Sequence, residues 1–148
     1  MLALQSVGYS VLLPFGENTR YDLVIDDGEV LERVQCKTGR LRGGAVAFAT
    51  TSTYGHHRNP ATHRRNYKGQ VDYFAVYCPD NGGVYLIPAE DLPTESQACL
   101  RIDPPRNNQF KRIRFARDYE IATLPCVDAT RIPPRRRQLP IVARRVAS

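Results

Sequence analysis

Short runs of apolar residues separated by turn-forming residues recur along this chain, and the pattern predicts a fold built mainly from β-strands. The predicted strands cover residues 9–15, 21–25, 29–37, 45–50, 71–78, 84–87, 100–103 and 111–115. The sequence Asp26-Asp27-Gly28 is a strong turn signal between the second and third strands. These two strands are therefore expected to form a hairpin.

Helical segments are predicted to be few and short. Residues 1–6 are typical of the last turn of a helix, and residues 88–92 begin with Pro and carry early acids, which favours a short helix. Residues 116–121 are weakly helical. The polar segment 51–69 contains all three His residues and is expected to be a loop with at most one helical turn. The class predicted is α/β or α+β, with strands in the middle and helices flanking them.

The size of the chain indicates one domain. It has 148 residues, of which 42% are hydrophobic, so a core forms without disulfide or metal. We expect a domain over residues 1–128 and a basic Pro- and Arg-rich tail over residues 129–148. No apolar run is long enough to span a membrane, and the N-terminus lacks the features of a signal peptide. The four cysteines are widely spaced, so we interpret them as buried, reduced thiols of a cytoplasmic protein.

Positive charge is concentrated in one stretch of the chain. The net charge is +6, yet residues 33–71 contain no acid. Such a block favours binding to a polyanion, because each neutralised phosphate releases counterions. A basic surface without a partner is the alternative. The residues expected to contact the polyanion are Arg40, Arg42, Arg58, Arg64, Arg65 and Lys68.

The candidate chemistry lies on the predicted hairpin. Gln35 and Lys37 are two residues apart on one strand, so they share a face, while Val34 and Cys36 are expected to point into the core. The hairpin places Asp22 beside them across the strand pair. Taken alone, these residue types are also common on protein surfaces, where they carry no function.

The grouping suits hydrolysis of a phosphodiester bond. The Asp22 carboxylate, the Gln35 side-chain carbonyl and the Cys36 backbone carbonyl are predicted to bind Mg²⁺. Bound Mg²⁺ polarises a phosphoryl oxygen and lowers the pKa of water. Lys37 is predicted to hold the attacking water or to stabilise charge on the phosphate.

Several segments in order resemble the PD-(D/E)xK nuclease superfamily, and more narrowly its group I intron-associated homing endonucleases. They are GYSVL at 8–12, PFGEN at 14–18, YDLV at 21–24, VQCKTG at 34–39, VDYFAVY at 71–77, VYLIP at 84–88, PPRNNQ at 104–109 and ARDYE at 116–120. In that group a Gln replaces the second acid of the motif, as Gln35 does here. The resemblance implies a restriction-endonuclease-like core with a mixed central sheet flanked by helices, Mg²⁺ as cofactor, double-stranded DNA as substrate, and a homo-oligomer, either a dimer or a tetramer.

The resemblance also implies a Glu on a helix before the first strand. Residues 1–6 contain no acid, so we expect this helix to be truncated here, and Glu17 in the following turn is a poor substitute. One carboxylate and one amide attract Mg²⁺ weakly. We therefore expect slow cleavage or none by the chain as given. The alternatives are a degenerate nuclease fold that binds DNA without cutting it, and a related restriction enzyme or junction resolvase.

The remaining polar and aromatic residues of interest are predicted to have structural roles. His56, His57 and His63 lack partners at zinc-ligand spacing, so a zinc site is not expected. Tyr67 is expected to pack in the core or a loop rather than to stack on bases. Asp72 is expected to pair with a loop arginine rather than to act in catalysis.

Overall fold

The structure is a computed structural model that describes residues 1–16, 19–54, 63–93, 96–105, 111 and 113–123. Several sequence predictions fall outside these residues. They concern Glu17, His56, His57, Arg58, Cys126 and the tail over residues 129–148.

The described residues form eleven strands, one short helix and two 3-10 turns. The helix α1 spans Leu2–Ser6, and the 3-10 turns span Ala89–Asp91 and Ala116–Asp118. The strands are β1 (Ser10–Leu12), β2 (Leu23–Asp26), β3 (Leu31–Thr38), β4 (Arg40–Arg42), β5 (Ala45–Ala49), β6 (Thr51–Tyr54), β7 (His63–Asn66), β8 (Tyr73–Cys78), β9 (Gly83–Pro88), β10 (Gln97–Arg101) and β11 (Glu120–Thr123). No helix among these residues is long and apolar enough to cross a membrane.

Six strands form a central mixed sheet in the order β1-β2-β3-β8-β9-β11. The pairing of β3 with β8 is parallel, and every other pairing within this sheet is antiparallel. The described residues between β3 and β8 form the strands β4 to β7. The predicted mixed sheet is therefore confirmed.

The β2–β3 hairpin is also confirmed, and its turn is held by acidic side chains. The Asp26 carboxylate accepts the backbone N–H of Gly28, and the Asp27 carboxylate accepts those of Glu29 and Val30. Gly28 has φ of 95°, a conformation that glycine adopts without steric cost. The two N–H donors from Val30 and Glu29 hold the pKa of Asp27 below its ordinary value.

The two faces of the central sheet are covered differently. On one face, Leu4 of α1 packs against Leu23, Ile25, Val34, Ala75 and Leu86. Val34 and Ile25 are fully buried, and each such side chain contributes about 1.5–3 kcal/mol through the hydrophobic effect. This cluster anchors β2 and β3 through their inward residues, so the alternate residues project from the opposite face.

The opposite face packs against a second sheet. That sheet has the order β10-β5-β4, and its Val46 and Leu100 join Phe74, Val76 and Ile87 of the central sheet in one buried cluster. A Cβ on Gly39 would lie 2.6 Å from Val46 Cγ1, so the absence of a side chain permits the close approach of β3 and β5. Apart from α1, the expected flanking helices are not found among the described residues.

The segment between β5 and β8 does not follow the prediction. The described parts of residues 51–69 form an antiparallel hairpin, β6–β7, in which Ser52 pairs with Arg65. Its strands are polar, so no alternation of apolar residues marked them. The strand predicted at residues 111–115 is likewise wrong for its described residues, which provide only an isolated bridge from Phe115 to Arg101.

Candidate active site

The Asp22 side chain contacts Gln35 just before the start of the β2–β3 ladder. The register pairs Leu23 with Val34, and the Asp22 backbone N–H donates to the Val34 carbonyl at 2.9 Å. Leu23 and Val34 are buried on the α1 side. Asp22 and Gln35 therefore share the other face of the sheet, as the hairpin predicted.

The carboxylate of Asp22 is held by two N–H groups of β3. Its Oδ2 accepts a short hydrogen bond from Gln35 Nε2 and another at 2.7 Å from the Cys36 backbone N–H. Among the described residues, none donates to its Oδ1. Asp22 is exposed, whereas Gln35 retains only 8% of its accessible surface. The pair thus joins the interior of the fold to solvent.

The three predicted metal ligands lie together. Gln35 Nε2 also lies 3.4 Å from the Cys36 carbonyl oxygen, so one amide group bridges that oxygen and Asp22 Oδ2. The oxygen and nitrogen of an amide occupy equivalent positions and are assigned from the hydrogen-bond network. A flip of the Gln35 amide therefore presents Oε1 where Nε2 now lies.

The side chain of Cys36 does not lie where the sequence predicted. It is exposed, because the buried cluster on its face ends at Val34. Desolvation raises the pKa of the Cys36 thiol, and the neighbouring Asp22 charge raises it further. Cys99 is also exposed rather than buried, because it alternates on β10 with the inward residues Ala98 and Leu100, whereas Cys78 is buried as expected.

Lys37 continues the same face of β3. In the parallel ladder Gln35 pairs with Phe74 and Lys37 pairs with Val76. Phe74 and Val76 lie in the buried cluster between the central sheet and the second sheet. Lys37 Nζ donates to the Tyr67 hydroxyl at 3.0 Å and lies 4.8 Å from the centre of its ring. The ammonium is therefore held by Tyr67 on the face of β3 that also carries Gln35.

Tyr67 packs against this face of the sheet and contacts Lys37. It is buried, and its ring meets Phe74 edge-on with centroids 5.6 Å apart, which confirms the predicted packing role. The guanidinium of Arg20 lies 4.3 Å from the centre of the same ring. Sequence reasoning missed Arg20, although its position two residues before Asp22 placed it close to the candidate site.

The predicted DNA-binding residues are placed differently from one another. Arg42 on β4 and Arg64 and Arg65 on β7 are exposed, and so is Lys68. Arg40 is exposed too, but it lies 3.6 Å from the Asp80 carboxylate. An exposed pair of this kind contributes at most about 1 kcal/mol, so Arg40 remains available to a stronger anion.

Asp72 forms a structural pair with Arg33. Its two carboxylate oxygens accept Arg33 Nε and Nη2 at 3.0 Å each, and Oδ2 also accepts the Arg33 backbone N–H at 2.8 Å. The partner is thus on strand β3 and not on a loop, but the structural role is as expected. The hydrogen bonds from Arg33 lower the pKa of Asp72.

The residues at the site offer oxygen ligands of low total charge. One carboxylate, one amide and one backbone carbonyl are hard donors of the kind that Mg²⁺ accepts. In the part of the chain that the structure describes, no cluster of three His, Cys, Asp or Glu residues is placed to hold a metal. The donor set therefore fits Mg²⁺ in type, and its single charge predicts weak binding.

Comparison with protein families assigns the chain to the endonucleases. The model of the PD-(D/E)XK endonuclease family matches residues 1–122, and the chain belongs to this family. No curated protein matches the chain.

A solved structure shares the fold. The bacterial homing endonuclease I-Ssp6803I superposes with a TM-score of 0.61 at 23% sequence identity, over 80% of this chain and 79% of that one. The predicted family and the nuclease-like core with a mixed sheet are both confirmed.

Proposed function

We propose that the chain is a Mg²⁺-dependent endonuclease that hydrolyses phosphodiester bonds of double-stranded DNA in the manner of a homing endonuclease. One observation supports this above all others. The Asp22 carboxylate, the Gln35 amide and the Cys36 carbonyl converge at one point, with the Lys37 ammonium on the same face. Family membership supports the nuclease class independently.

In this proposal the three oxygen groups hold the metal. Asp22 supplies the charge through its carboxylate, Gln35 supplies Oε1 after a flip of its amide, and Cys36 supplies its backbone oxygen. When bound, Mg²⁺ polarises a phosphoryl oxygen and lowers the pKa of coordinated water. After the flip, Gln35 Nε2 no longer donates to Asp22, but the Cys36 backbone N–H still donates to the Asp22 carboxylate and orients it.

Lys37 acts as the cation of the site. Its ammonium is held by the Tyr67 hydroxyl, so it loses little conformational entropy when it contacts an attacking water or a phosphate oxygen. A fixed positive charge beside a developing negative charge stabilises the transition state more than the ground state. Arg40, Arg42, Arg58, Arg64, Arg65 and Lys68 are proposed to contact the DNA backbone.

We also propose self-association into a dimer or tetramer. Leu12, the last residue of the edge strand β1, is exposed, and so are Leu13 and Phe15 just beyond it. Large apolar side chains close together on a surface favour an interface. Sedimentation of the purified protein tests this, since a monomer at micromolar concentration contradicts it.

A binding module without catalysis is the second candidate function. It is favoured by the single carboxylate that the described residues bring to the site. Such a module keeps the basic surface and its salt-sensitive affinity for DNA, but it does not cleave at any metal concentration.

The two functions are separated by selecting DNA before testing cleavage. Duplexes retained by the protein from a randomised pool with Ca²⁺ are isolated, then transferred to Mg²⁺. An enzyme cuts them, and D22N or K37A lowers the single-turnover rate by about a hundredfold while most affinity remains. The matched substitutions D118N and K111A alter exposed residues elsewhere and leave the rate unchanged. Retention without cleavage by the unmodified chain supports the binding module.

A further inference from the structure

The β6–β7 hairpin is a separate two-stranded sheet. It shares no ladder with the central sheet or with the β10-β5-β4 sheet. It nevertheless carries Arg64 and Arg65, two of the exposed cations proposed to contact DNA. Their usefulness depends on how firmly this hairpin is oriented relative to the candidate active site.

Arg20 connects the hairpin to the rest of the protein through three hydrogen bonds. Its Nη1 donates to Ser52 Oγ on β6 at 2.8 Å, and its Nη2 donates to the Asn66 carbonyl at the end of β7 at 2.8 Å. Its Nε donates to Gln70 Oε1 at 2.6 Å, just beyond the hairpin. One guanidinium therefore contacts both strands and the segment that leads back to the core.

The same guanidinium is stacked on the candidate site. It lies 4.3 Å from the centre of the Tyr67 ring. The hydroxyl of Tyr67 accepts a hydrogen bond from the Lys37 ammonium. Arg20 is also two residues before Asp22 in the chain, so a short stretch of backbone fixes it to the carboxylate. The guanidinium that contacts the hairpin therefore also lies against Tyr67, the residue that holds Lys37.

We propose that Arg20 is a positioning residue that locks the β6–β7 hairpin onto the candidate active site, so that Arg64 and Arg65 meet the same DNA as Lys37. The inference rests on the proposed function for its DNA and on the structure for its contacts. Each of the three guanidinium nitrogens already donates to a protein acceptor, which favours a positioning role over direct binding of phosphate.

The chemistry requires an arginine. A planar guanidinium offers five N–H donors in a fixed fork and stacks on an aromatic face, whereas an ammonium is a point charge with three donors. R20K therefore keeps the charge but cannot contact Ser52, Asn66 and Gln70 together while stacked on Tyr67. Loss of the fork, rather than loss of charge, is expected to release the hairpin.

Hydrogen exchange on the free protein gives the first test. In R20K, amide exchange at residues 51–53 and 64–66 rises by about tenfold, while exchange in β2, β3 and β8 is unchanged. R117K is the matched control, because Arg117 also stacks on an aromatic ring, with its guanidinium 4.9 Å from the centre of Phe115. S52A removes the bond from Arg20 to Ser52 Oγ together with the longer bond from Ser52 Oγ to the Arg65 carbonyl, and it gives a smaller rise than R20K at the same amides.

DNA affinity gives the second test through a double-mutant comparison. R20K weakens binding to retained DNA severalfold, but it has no further effect when R64A and R65A are already present, because it acts through the hairpin. Additive losses mean that Arg20 contacts DNA itself and overturn the proposal, as does unchanged exchange in both R20K and S52A. If the unmodified chain binds but never cleaves, the enzymatic function fails, while these two measurements still decide the role of Arg20.

Discussion

Gln35 donates its side-chain N–H to the carboxylate of Asp22, which places a buried amide against an exposed acid at the point where the two strands begin to pair. A second acid at position 35 would instead repel Asp22 in the absence of metal. Gln35 therefore stabilises the metal-free site while keeping a carbonyl oxygen available to a cation. This compromise leads to a direct prediction.

Q35E is expected to lower the stability of the metal-free protein and to raise its affinity for Mg²⁺. Without metal, the buried second carboxylate lowers the melting temperature by roughly 3–10 °C through repulsion and desolvation. Excess Mg²⁺ recovers most of that loss and stabilises the variant more than it stabilises the unmodified chain. Thermal unfolding with and without Mg²⁺ measures both effects.

Q97E is the control for this experiment, because Gln97 is exposed on β10. Its melting temperature is expected to change little and to show no added dependence on Mg²⁺. If Q35E gains no more from Mg²⁺ than the unmodified chain does, position 35 is not a metal ligand.

The Arg33–Asp72 pair is expected to make stability depend on pH in the acid range. Hydrogen bonds from Arg33 hold the folded-state pKa of Asp72 below its ordinary value of 3.8. The pair therefore stabilises the fold above the unfolded-state pKa, and this contribution is lost as pH falls below 3.8 through the lower folded-state pKa. Both side chains are more than a third exposed, so D72N costs only about 1 kcal/mol at neutral pH.

Urea unfolding of D72N and the unmodified chain at pH 7 and pH 3 measures this dependence. The difference in free energy of unfolding should shrink at the lower pH. D118N, which alters an exposed acid 3.7 Å from Arg117, should show little difference at either pH. A constant difference between D72N and the unmodified chain would show that titration of Asp72 does not contribute.

Salt dependence of DNA binding should identify which arginines contact phosphates. Each of R42A, R64A and R65A is expected to reduce the slope of log affinity against log salt by about 0.9, because one fewer counterion is released. R40A should also reduce this slope, although Arg40 must leave its ion pair with Asp80 before it contacts a phosphate. R117A is the control and should leave the slope unchanged, so an equal change in R117A would point to net charge rather than to defined contacts.

The thiol of Cys36 should report on the charge of Asp22. Desolvation and the Asp22 carboxylate both raise its pKa, so alkylation of the folded protein at pH 7.5 is expected to be slow. D22N removes the second cause and should accelerate alkylation of Cys36. Alkylation of Cys99, which lies on the β10 strand, is the internal control, and mass spectrometry of both peptides reads the rates. If D22N does not accelerate alkylation of Cys36, the charge of Asp22 does not raise the pKa of this thiol.

Local signals in the sequence determined the hairpin and the shared face of the candidate site. Asp26, Asp27 and Gly28 fix the turn through contacts within five residues, and strand periodicity then places Asp22, Gln35 and Lys37 on one side. These relations follow from short-range geometry, which a sequence records directly.

Only the tertiary structure decided what surrounds that face. The parallel pairing of β3 with β8, the second sheet where helices were expected, and the contacts of Arg20 with Ser52 and Asn66 all join residues distant in sequence. Alternation along β3 assigned Cys36 to the core, but the buried cluster on that face ends at Val34, two residues earlier. Cys36 is therefore exposed. Long-range packing depends on which surfaces meet in space, and neither periodicity nor charge along the chain specifies those surfaces.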